Sequence, residues 1–94
     1  MDRDYGSFVW DAGKEKDNLA KHGVDFVTAS RGFLDPRRKI FVNAKHSGTE
    51  ERFYCIGNVD GKVLTVRFVY RGKKIRIFGA GDWRGGRKYY EGEK

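Results

Sequence analysis

The stretch ERFYCIGNVDGKVLTVRFVYRGKKIRIFGA, Glu51–Ala80, decides the fold class. It holds three runs rich in β-branched and aromatic residues, Arg52 to Val59, Val63 to Tyr70 and Lys73 to Ala80, a composition that favours strands. Asp60-Gly61 between the first two is a strong two-residue hairpin signal, and Arg71-Gly72 between the last two is a weaker one. The three runs therefore read as an antiparallel meander. Alternation then assigns faces: Leu64, Val66, Phe68 and Tyr70 share one side, while Thr65 and Arg67 share the other with Val63 and Val69. On the last run Ile75 and Ile77 oppose Lys74, Arg76 and Phe78. If helices cover the aliphatic side, Arg67 and Arg76 lie near each other on adjacent strands of an uncovered, basic face.

Upstream, Lys39 to Asn43 adds a fourth strand after Asp35-Pro36. Ser7 to Trp10 reads as a short strand, and Asp11 as the N-cap of a helix that runs to about His22 and ends on Gly23. Asp25 caps a second helix that sets Phe26, Ala29, Ser30 and Phe33 along one stripe. Asp2 and Asp4 read as a ragged terminus. Downstream, Asp82 to Tyr90 is weakly helical, because Gly85-Gly86 costs roughly 2 kcal/mol relative to two alanines; a frayed or partner-stabilised helix is expected. The fold class is α+β, with two N-terminal helices packed on an antiparallel β-sheet and a short C-terminal helix.

The 94 residues suit a single domain, 1–94, with a modest core. The 20 Lys and Arg against 13 Asp and Glu are unevenly placed: residues 1–30 carry a net −2 and residues 31–94 a net +9. A cationic face of that size attracts phosphate polyanions or an acidic protein partner. The lone Cys55 has no partner for an internal disulfide, and neither a signal peptide nor an apolar run of membrane-spanning length occurs, so a cytoplasmic location without membrane contact is expected. Aromatic residues at 15% with one proline argue against disorder despite the charge.

No metal or other cofactor is expected: His22 and His46 are far apart, Cys55 is solitary, and no metal-ligand spacing occurs. GAGDWRGG lacks the Gly-Lys-Ser/Thr of a phosphate-binding loop. RNA cleavage asks for less, because the 2′-hydroxyl supplies the nucleophile. It needs a base, an acid for the leaving 5′-oxygen, and fixed cations for the charge that builds on phosphorus. Arginine suits the last task, since its planar fork donates to two phosphate oxygens, and rings beside the cations stack a splayed base. The basic part supplies each type: Lys45-His46, Glu51-Arg52, Arg67, Arg76, Trp83-Arg84 and Tyr90. Each also has a plainer reading. His46 reads equally as a turn residue, Arg52 as a surface ion pair with Glu51 worth under about 1 kcal/mol, Trp83 as a plug at the end of the core, and His22 as a helix-terminal residue. Arg67 and Arg76 sit mid-strand between apolar neighbours, where a charge needs a reason.

Taken together, FVWDAGKEKDNLAKHGVDFVTASRGFLD (Phe8–Asp35) and HSGTEERFYCIGNVDGKVLTVRFVYRGKKIRI (His46–Ile77) resemble the BrnT toxin family. The shared elements are the Phe-x-Trp-Asp opening, the Asn-x-x-Lys-His-Gly helix end, the Glu-Glu-Arg-Phe strand start and the Ile-Arg-Ile strand. The resemblance implies a RelE-like fold and a metal-independent endoribonuclease, the toxin of a type II toxin–antitoxin pair. It also implies an mRNA substrate, on or off the ribosome, and a ribbon-helix-helix antitoxin of the BrnA type, through which alone operator DNA is contacted. From the resemblance Arg76 carries over as a catalytic residue; the residues themselves nominate Arg52 for the phosphate charge, with Glu51, and His46 or Lys45 for proton exchange. Arg67, Trp83, Arg84 and Tyr90 are the RNA-binding candidates. The family pattern follows Ile-Arg-Ile with a Ser-Ala-Arg, where this chain has Gly79-Ala80-Gly81, so Gly81 replaces a cation. Non-catalytic RNA binding and antitoxin binding alone are the alternative functions.

Overall fold

A computed structural model describes residues 1–43 and 50–92. Strands β1 (Asp2–Tyr5) and β2 (Phe8–Asp11) lead into helices α1 (Ala12–His22) and α2 (Phe26–Ser30), followed by a 3-10 turn at Arg31–Leu34. Strands β3 (Lys39–Val42), β4 (Phe53–Val59), β5 (Lys62–Arg71) and β6 (Lys74–Gly81) come next, and helix α3 (Arg84–Glu91) ends the described chain. The strands form one sheet in the order β1-β2-β6-β5-β4-β3.

The fold is α+β, and the β4–β5–β6 meander forms as alternation predicts. The expectation of an antiparallel sheet is corrected: the sheet is mixed, because β2 lies parallel to β6 with Phe8 opposite Ile75 and Val9 opposite Arg76. Side-chain alternation within a strand carries no record of its neighbour's direction. Asp2 and Asp4, read as a ragged end, belong to β1, which pairs with β2. They reach past β2 to β6, Asp2 to Arg76 at 3.0 Å and Asp4 to Lys74 at 3.1 Å.

The second helix is shorter than its apolar stripe suggests. Asp35 precedes Pro36, which pushes it to an extended conformation. The chain accordingly tightens into the 3-10 turn, and Phe33 reaches the core from there, its ring 5.0 Å from that of Phe68. The core itself gathers Trp10, Phe26, Ala29, Cys55, Leu64, Val66, Phe68, Ile77 and Ala80 on the face that these helical turns cover. Asn18, buried on α1, fixes that helix against the sheet: its amide donates to the carbonyls of Val24 and Ala80 and its oxygen accepts from Ala80 N–H.

One irregularity governs the opposite face. Arg67 faces Gly79 and Phe68 faces Ile77, so Phe78 is an extra residue on β6, a β-bulge. Beyond it the pairing resumes with Ala80 on the core side beside Val66. Helix α3 forms despite its two glycines, held at its far end by Tyr89 packed on Phe41 and by the Tyr90 hydroxyl bound to Asp35.

Candidate nucleic-acid interface

Arg67 stands in the middle of β5 on the face away from the core. Its guanidinium lies 5.6 Å from the Phe78 ring and 5.3 Å from the Trp83 ring. Arg52 approaches the same Phe78 ring at 5.3 Å, and the imidazole of His22 meets Trp83 edge-on at 5.1 Å. The result is a continuous run, His22, Trp83, Arg67, Phe78, Arg52, in which rings and cations touch in turn. Two glycines on β6 make it possible. A Cβ at Gly79 would come within 2.7 Å of Arg67 Nε, so the guanidinium lies directly on the β6 backbone. A Cβ at Gly81 would come within 2.6 Å of the Trp83 ring. Gly81, which stands where the family pattern has a cation, is thus the seat of the indole.

The Nε of Arg67 is buried and has no hydrogen-bond partner among the described residues. An unsatisfied buried donor costs about 1–3 kcal/mol, more when charged. The fold tolerates that cost at the centre of a cationic surface.

Arg76 shares the face, beside Val69, but its guanidinium is engaged by both oxygens of Asp2, at 3.0 and 3.1 Å. That hydrogen bonding holds the Asp2 carboxyl below its ordinary pKa and raises that of Arg76. A phosphate approaching Arg76 competes with Asp2 for its guanidinium. Glu51 is exposed at the start of β4; the carboxylate that pairs here is Glu50, with Arg71 at 2.9 Å. Arg84 is exposed at the first turn of α3, next to Trp83. Tyr90 lies apart from the run, at the other end of α3, where its hydroxyl is committed to Asp35; that bond lowers the pKa of Asp35 and raises that of Tyr90. Lys45 and His46 lie outside the described residues. Cys55 is no nucleophile: burial pushes its thiol up to about 12.

The structure adds residues that the sequence reading passed over. A cleft of about 200 Å³ opens between α1 and the Arg67–Phe78 surface, with Lys14, Lys21 and His22 on its α1 wall. Their spacing with Asn18, at i, i+4, i+7 and i+8, is one helical face and was available in the sequence. Gly79 inside a run that otherwise reads as a strand was likewise the available sign of a bulge.

A family model described as the ribonuclease toxin, BrnT, of type II toxin–antitoxin systems matches residues 10–85. The chain belongs to the BrnT family. No curated protein matches it. The matched span contains every member of the ring–cation run, whereas Asp2 and Tyr90 lie outside it. As a BrnT ribonuclease toxin, the chain has RNA as its substrate class and an antitoxin as its partner. None of the described helices is long and apolar enough to cross a membrane.

Proposed function

We propose that this BrnT toxin is a metal-independent endoribonuclease that cuts mRNA by attack of the 2′-hydroxyl on the adjacent phosphate, and so inhibits translation. The observation that carries this reading is the run of alternating rings and guanidinium groups on the sheet face away from the core, beside the start of helix α3. Trp83 and Phe78 offer π-faces for unpaired bases. Arg67 and Arg52 are held beside them by contacts that leave donors for phosphate oxygens. Arg76 joins them when the polyanion displaces Asp2, and Arg84 follows the RNA backbone over the start of α3. Glu51, Lys45 and His46 are acid–base candidates from the sequence, and Tyr90 supports the interface through its hold on α3. Preorganised guanidinium groups supply charge stabilisation at the phosphorane that a metal would otherwise give, and loss of one such donor typically costs 10²–10³ in rate. The partner is a ribbon-helix-helix antitoxin of the BrnA type, whose acidic segments suit the same cationic face.

Incubating the purified chain with end-labelled RNA in excess EDTA tests this reading. Fragments ending in 2′,3′-cyclic phosphate are expected, from RNA alone or once ribosomes are added. RNA left intact in both settings, yet held in a salt-sensitive complex, would replace the enzyme with a non-catalytic RNA-binding module.

A further inference from the structure

We propose that His22 is a catalytic proton carrier of this site, and that the scissile phosphate sits in the cleft between α1 and the β5–β6 surface. The inference rests on the RNA-cleaving reading above and assigns residues to its two proton transfers. Its first support is position. Asn18 ties α1 to the backbone of Ala80 through two hydrogen bonds, one in each direction, so the last turn of the helix has a fixed place over the sheet. One turn later, His22 stands exposed at the cleft rim with its ring edge-on to Trp83. The indole that positions the imidazole is the one that Arg67 stacks on.

The second support is charge. The cleft walls carry Lys14 and Lys21 from α1 and Arg67 from β5, against the single carboxylate of Asp17. Asp82 and Arg84 flank Trp83 in the chain. That excess of fixed cations suits a phosphate gaining negative charge. It is also a place where an imidazole, able both to accept and to donate a proton, has chemistry to do. Neutral His22 takes the proton of the 2′-hydroxyl. The freed oxygen lone pair forms the new bond to phosphorus, and the electron pair of the P–O5′ bond leaves with the 5′-oxygen. That oxygen takes a proton from the ammonium of Lys14 or Lys21, giving a 5′-hydroxyl and a 2′,3′-cyclic phosphate. His22 then returns its proton to the lysine through solvent.

Because His22 is exposed, its replacement leaves the core intact. His22→Phe keeps a ring against Trp83 and removes the base; His22→Ala opens a space for a free base. With wild-type cleavage established, both variants are expected to lose 10²–10⁴-fold in rate while still binding an uncleavable 2′-deoxy analogue. They should also lose the acidic limb of the pH–rate profile, and added imidazole should restore rate to His22→Ala alone. Wild-type rate and an unchanged pH profile in His22→Phe would overturn the assignment and leave the ribonuclease reading standing. Failure of the wild-type chain itself to cleave, with and without ribosomes, would overturn both.

Discussion

The two faces of this sheet solve opposite problems with the same strands. On one, Leu64, Val66 and Phe68 of β5 meet Ile77 and Ala80 of β6 beneath α2 and the 3-10 turn, and every one of these side chains is buried. On the other, the alternate residues Thr65 and Arg67 leave buried polar atoms without partners among the described residues, Oγ1 of the threonine and Nε of the arginine. The first face is organised by exclusion of water. The second is organised by two glycines that let a guanidinium and an indole lie on bare backbone. A surface held so precariously between rings is poor packing and good preparation for a polyanion, which is where stability and function part company.

Replacing one residue on each face separates them. Phe68→Ala on the core face should cost about 3–5 kcal/mol of stability, read as a lowered melting midpoint, with any activity change following the folded fraction. Arg67→Ala should do the reverse: cleavage falls 10²–10³-fold, while stability changes by no more than about 1 kcal/mol, since the lost ring contacts are offset by removal of an orphan donor. A melting loss comparable to that of Phe68→Ala would make Arg67 a structural residue. Gly79→Ala sharpens the same point without touching a charge. Its methyl group has to move the guanidinium, so cleavage should drop about tenfold or more while the chain still folds; wild-type turnover would show that the seat of Arg67 is irrelevant.

Smaller effects belong to the seams that join the faces. Asp35 accepts from the Tyr90 hydroxyl and from the backbone N–H groups of Arg37 and Asn58, so Asp35→Ala should destabilise by about 1 kcal/mol and loosen α3. The carboxyls of Asp2, Asp11, Asp35 and Asp60 are all held below the ordinary carboxylate range in the folded chain, by Arg76, by the Lys14 N–H and the terminal amine, by Tyr90, and by Arg31 respectively. A depressed folded-state pKa means that the unfolded chain binds the proton first. Their contribution is therefore complete above the ordinary carboxylate range and is lost as pH falls below it through the depressed folded-state values. Melting midpoints that stay level from pH 6 to pH 3 would contradict these seams.

The helix-covered face was legible because it is written in local alternation: the parity of Leu64, Val66 and Phe68, and the capping residues Asp11 and Asp25, need no distant partner to be read. Arg67 was legible for the same reason, as a charge at a strand position whose neighbours are apolar. The parallel contact of β2 with β6 was not, since strand direction leaves no mark on side-chain pattern. Nor was β1, an exposed strand whose Asp2 and Asp4 pair with Arg76 and Lys74 about 70 positions away. The engagement of Arg76 by Asp2 and the seating of Trp83 on Gly81 depend on that long-range geometry. The α1 wall of the cleft was readable from helical spacing, but His22 on it reads plainly as a helix-terminal residue.

The chain places one tryptophan on each face. Trp10 is buried in the core against Phe26 with its Nε1–H bound to Glu15, and Trp83 lies on the other side against Arg67. The most direct measurement is therefore to follow the two indole N–H resonances while titrating an uncleavable 2′-deoxy RNA analogue. The Trp83 signal should shift progressively while that of Trp10 stays in place. A titration that moves Trp10 alone, or binds while moving neither, would place the nucleic acid elsewhere and contradict the assignment of the ring–cation face as the RNA site.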